Sequence, residues 1–108
     1  MVGFKSLLYN NDLSKNKKGT VIDFKNNTSA NPFVIPTDGY IRIVTGSLNN
    51  SSFVDIYVVG SDDLFITNLS LQGNGTIPMA NSLFVRKGMK VYPHRNDNGE
   101  PLQFVPLT

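Results

Sequence analysis

Apolar residues recur along this chain at alternate positions, in short runs rich in β-branched and aromatic side chains. No window of helical length keeps an i, i+3, i+4, i+7 stripe, because Gly, Pro, Asn and Ser interrupt too often. The pattern predicts an all-β chain, an antiparallel, jelly-roll-like β-sandwich of about eight short strands forming a single domain over residues 1–108.

The best-defined stretch is Ile35 to Gly46, where Pro36 and Asp38-Gly39 make a turn and period-two alternation follows. Ile41 and Ile43 then point one way, and Tyr40, Arg42 and Val44 the other. Further strands are expected at Phe4–Tyr9, Thr20–Phe24, Phe33–Ile35, Leu64–Leu71, Leu83–Val85, Met89–Tyr92 and Leu102–Leu107. Turns fall at Gly60–Asp63, Gly73–Gly75 and Gly88, and Asn96-Asp97-Asn98-Gly99 reads as a hairpin. The inward face of Leu64–Leu71 is ambiguous, since Phe65, Leu69 and Leu71 compete with Leu64 and Ile66. Phe53–Val59 is apolar on both faces, with Val54, Ile56 and Val58 on one and Phe53, Tyr57 and Val59 on the other beside Asp55. A strand of this kind packs on its own core and against another subunit.

Cysteine is absent, so the chain is not a disulfide-framed module and is compatible with a reducing cytosol. Its first residues carry neither a long apolar run nor a small-residue cleavage site, and no membrane insertion is expected. A net charge of +2 is too small to make nucleic acid a default partner. Asparagine doublets at 10–11, 26–27 and 49–50 suit left-handed loop positions. The sequons at Asn68 and Asn74 carry no weight without a secretion signal.

Candidate chemistry is sparse. His94, the only histidine, sits at a strand end, and no glycine-framed serine elbow accompanies it. Asn96–Glu100 imitates part of a calcium loop but lacks the leading Asp and the closing Glu. Asp62-Asp63 reads as a turn, and a lone glutamate, Glu100, argues against a glycosidase pair. Arg86, Lys87, Lys90 and Arg95 cluster late in the chain, but alternation divides them between faces and a solvated rim accounts for them. No enzyme, metal or cofactor is expected. Sugar recognition needs aromatic platforms beside amides and carboxylates, which makes Tyr40, Asp55, Tyr57 and Tyr92 the ligand-binding candidates, although tryptophan is absent. The same tyrosines serve equally as anchors between subunits.

Three segments carry a resemblance: Pro36-Thr37-Asp38-Gly39-Tyr40, Leu83–Val91 with its Lys87-Gly88-Met89-Lys90-Val91 turn, and the Leu102–Leu107 ending. From Pro36 to Thr108 the chain resembles small jelly-roll domains at the tips of bacteriophage tail fibres, baseplate appendages and head fibres. The acid usual after the turn glycine is replaced by Met89. The resemblance implies a homotrimer located on the virion, made in the bacterial cytoplasm, contacting other virion proteins and attaching to host-surface saccharide. Phe53, Tyr57 and Val59 would then face subunits near a threefold axis. The alternatives are a head-fibre or capsid-decoration protein and a small cellular carbohydrate-binding module.

Overall fold

The computed structural model describes residues 20–45, 52–73 and 79–107. The strand expected at 4–9, residues 46–51 and Asn74 of the expected Gly73–Gly75 turn lie outside the described residues. Eight strands follow in chain order: β1 Ile22–Asp23, β2 Phe33–Val34, β3 Gly39–Thr45, β4 Phe53–Val59, β5 Phe65–Gln72, β6 Met79–Val85, β7 Lys90–Asn96 and β8 Leu102–Pro106. They form two antiparallel sheets, β1-β8-β3-β6 and β2-β7-β4-β5. Strand β1 pairs with β8, β2 with β7, β3 with β6 and β4 with β5. A long hairpin rolled across two layers has this pairing, so the sandwich is a jelly roll. Among the described residues no helix is long and apolar enough to cross a membrane.

Alternation in the sequence becomes burial in the structure. Gly39, Ile41, Ile43 and Thr45 of β3 are buried, while Tyr40, Arg42 and Val44 are exposed. Val54, Ile56 and Val58 of β4 meet Val91, Leu69, Leu102 and Phe104 in one core drawn from both sheets. Phe24, just after β1, stacks on Phe33 at 5.8 Å, and Phe33 in turn packs on Phe104 at 5.7 Å. This aromatic trio ties the two layers together near the β1–β8 edge.

Two expectations need correction. The Asn96–Gly99 segment is a turn, closed by the Gly99 N–H donating to the Asn96 carbonyl at 3.2 Å, but it is not a hairpin. It carries the chain from β7 in one sheet to β8 in the other. A two-residue type I′ hairpin needs positive φ at both central residues, whereas here neither Asp97 nor Asn98 has it and only the closing Gly99 does, at +64°. Residues 20–24 contribute only two ladder residues, since the Phe24 N–H leaves the regular pairing to reach the Leu102 carbonyl at 2.8 Å.

Candidate functional site

The outer face of the β2-β7-β4-β5 sheet is organised by β4. Phe53, Asp55 and Tyr57 project from it half-buried, opposite the core residues Val54, Ile56 and Val58. Tyr57 stands between Asn68 of β5 and Tyr92 of β7. The ladder on each side of β4 contains one irregularity. Between Val58 and Val59 the β5 partner jumps from Thr67 to Phe65, leaving Ile66 as an extra residue. Between Asp55 and Ile56 the β7 partner jumps from Arg95 to Pro93, leaving His94 extra.

Each bulge reverses the alternation beyond it, which is how such irregularities re-aim side chains. Phe65 would share the inward side of Leu69 and Thr67 in a regular strand. Instead it meets the Tyr57 ring edge-on at 5.3 Å. His94 lies flat on Tyr57, with centroids 4.1 Å apart and planes within 8°. Tyr92 closes the cluster at 5.9 Å. The result is an aromatic platform with Tyr57 at its centre and the exposed rings of Phe65 and His94 toward solvent.

Beside the platform lies a polar group. Oδ1 of Asp55 accepts from Asn68 Nδ2 at 2.8 Å and from Ser70 Oγ at 2.9 Å. No protein donor among the described residues reaches its Oδ2. His94 covers one face of Tyr57, so a hydroxyl-bearing ligand lying beside this cluster would find a carboxylate oxygen, an amide and a hydroxyl within one small area. Farther along, Arg95 grips Asp97 through two 2.8 Å bonds and its guanidinium lies 5.0 Å from the Phe53 ring. The Phe53 N–H also donates to Asp97 at 2.8 Å. Arg95 first and that N–H second hold the Asp97 carboxyl below its ordinary range, and the hydrogen bond to Asp97 in turn raises Arg95.

At the other end, Val59, Ser29, Ala30, Pro32, Asp63, Lys90 and Tyr92 line a shallow cavity of about 330 Å³. Lys90 Nζ and Asp63 pair across it at 2.6 Å.

Three of the four residues proposed for ligand binding, Asp55, Tyr57 and Tyr92, thus share one face. Tyr40 does not join them. It lies on the outer face of the opposite sheet, 5.6 Å from Phe84. Of the residues expected at a subunit contact, Tyr57 belongs to the platform, Phe53 lies under Arg95, and Val59 is only 9% exposed where it lines the cavity with the segment before β2. The late basic residues are dispersed: Lys90 and Arg95 hold carboxylates, while Arg86 stands 6.0 Å from Phe84 at the start of the β6–β7 turn. Among the described residues no three His, Cys, Asp or Glu side chains converge as metal ligands. Phe65, His94, Asn68 and Ser70 are additions that the sequence reading missed. Pro93 inside a strand was the available signal, because proline in a sheet interior accompanies a bulge. No family model, curated protein or solved structure matches the chain.

Proposed function

We propose that this chain is a non-enzymatic binding domain, the jelly-roll head of a bacteriophage tail or baseplate appendage, which attaches to host-surface saccharide and works as a homotrimer. The observation that carries the binding part is the aromatic cluster on β4, where a bulge delivers Phe65 and alternation brings His94 onto Tyr57 beside Asp55, Asn68 and Ser70. Sugar rings present flat C–H faces and a girdle of hydroxyls, and this surface offers a partner for each. The sequence resemblance from Pro36 onward supports the virion setting, and the eight-strand jelly-roll order is the fold that resemblance implies. Three copies would convert weak single-site contacts into firm attachment, since linked sites gain roughly 10²–10⁴ in avidity when geometry permits.

The test is a screen of the purified protein against bacterial surface polysaccharides, followed by titration of any positive. Tyr57→Ala and His94→Ala should each weaken binding at least about tenfold, equivalent to roughly 1.4 kcal/mol, while Lys25→Ala in the turn after β1 leaves it unchanged. A panel with no binder overturns the attachment reading. Labelling of virions with no affinity for cells would replace it with the decoration role.

A further inference from the structure

Two exposed apolar surfaces stand out among the described residues of the sandwich, and they differ in kind. One is the head of the edge strand β5, where Leu64, Phe65 and Ile66 are 67%, 58% and 48% exposed in succession. The other is the outer face of the β1-β8-β3-β6 sheet, where Tyr40, Val44 and Phe84 are each about two-fifths exposed. Three consecutive exposed apolar residues are a liability for a solitary subunit. Strand β5, the edge of its sheet among the described residues, contains no charge, Pro or Gly between Phe65 and Gln72, so it lacks the devices that keep edges apart. Part of that edge is already closed, because Asn81 Nδ2 donates to the Ser70 carbonyl at 3.1 Å. The open portion is therefore the Leu64–Ile66 end.

Pairing β5 with β5 of another copy would cover the first surface and leave the second bare. A heterologous contact covers both, and repeated around an axis it closes into a ring. The charges agree with that choice. Asp62 stands two residues before Leu64, with Asp63 between them already held by Lys90, whereas Arg42 stands among Tyr40, Val44 and Phe84, and Arg86 lies beside the Phe84 ring. The acid on that face, Asp23, is at the β1 edge and accepts from the Lys25 N–H at 2.9 Å.

We infer that Leu64 and Ile66 of one copy seat on the Tyr40–Phe84 face of a second copy of this chain, head to tail around a closed ring. Phe65 then stands at the border between this contact and the Tyr57 platform, which puts the binding face beside a subunit boundary. The inference rests on the trimeric part of the proposed function and names the surfaces that part requires.

Light scattering on the size-exclusion peak, with protein at tens of micromolar, tests it through Ile66→Lys and Phe84→Asp. The wild type should have the mass of three chains and each variant that of one. An equimolar mixture of the two should give a two-chain species, because one intact edge meets one intact face. A three-chain wild type with either variant still three-chain overturns the contact but leaves the trimer standing. A wild-type mass of one or two overturns both, while saccharide binding stays open to its own screen. Because the chain has no native cysteine, Leu64→Cys and Val44→Cys supply a second measurement in which neither variant need lose its contact. A short bis-maleimide should cross-link a mixture of the two and neither alone. Cross-linking of Leu64→Cys to itself overturns the head-to-tail arrangement.

Discussion

A methyl group at position 39 has nowhere to go. Gly39 opens β3 between Val85 and Pro106, and a Cβ there would lie 2.3 Å from the Val105 carbonyl oxygen and 2.8 Å and 2.9 Å from two ring carbons of Phe104. The oxygen belongs to the β8 backbone, so relief requires moving a strand. Gly39→Ala is therefore expected to destabilise by roughly 1–3 kcal/mol, as overpacked core positions do. Gly88→Ala meets no atom and carries only the left-handed backbone cost at φ +93°, about 1–2 kcal/mol. Urea midpoints should rank wild type first, and Gly39→Ala should also lose near-ultraviolet aromatic signal, because the crowded atoms belong to Phe104. Equal midpoints for Gly39→Ala and wild type would contradict the close approach. The Asp38-Gly39 pair, readable in sequence only as a turn, thus has a second task in packing. Asp38 has one as well, accepting from the Lys87 N–H at 2.9 Å to join two turns distant in sequence.

At the scale of strands and turns, the Arg95–Asp97 clasp fixes the start of β4 to the β7–β8 crossing. The Asp97 N–H donates to the Phe53 carbonyl at 3.1 Å and its carboxylate accepts the Phe53 N–H, so one turn residue secures both backbone groups of Phe53. Its carboxyl has a lower pKa folded than unfolded, through Arg95 first and the Phe53 N–H second. The unfolded chain therefore takes up a proton sooner as pH falls. The stabilisation is present above the ordinary carboxylate range and is lost as pH drops through the folded value. Asp97→Asn should unfold earlier than wild type near pH 7, and the two denaturation midpoints should converge as the pH falls below the ordinary carboxylate range. A gap that stays constant across that range would mean the ionised carboxylate contributes nothing.

Strand positions and the inward faces of β3 and β4 were legible in sequence because local alternation encodes them, as Ile41, Ile43, Val54, Ile56 and Val58 show. The platform was only half legible. Tyr57, Tyr92 and Asp55 follow from alternation, and His94 shares the parity of Tyr92, but Phe65 reaches this face only through a bulge, as does Arg95 beyond His94, and a bulge is a property of two strands pairing. The ambiguous face of Leu64–Leu71 was the trace of one of them in the sequence. The turn at 96–99 misled for a related reason: its residues specify a reversal of the chain and not which sheet receives the next strand.

For the molecule, stability depends on two thin sheets held by one shared layer, and the contacts that bridge them outrank those within either. Phe104 is fully buried on β8, pairs with Ile22 and Ile41 in its own sheet, and touches Phe33 of the other. Through Phe33 it is connected to Phe24, which fixes the end of β1. Removing its ring opens a cavity against both layers, so Phe104→Ala should cost roughly 3–5 kcal/mol, toward the upper end because a backbone-tethered sandwich closes poorly around the gap. Gln103→Ala, its half-buried neighbour, loses only the 2.9 Å bond from Arg42 at an exposed site and should cost about 1 kcal/mol or less. Assembly would obscure this comparison, because association adds a concentration-dependent contribution to apparent stability. Both substitutions therefore belong in the Ile66→Lys background, with urea midpoints compared at unchanged slope. A Phe104→Ala midpoint no lower than that of Gln103→Ala would show that the aromatic trio is not what joins the sheets.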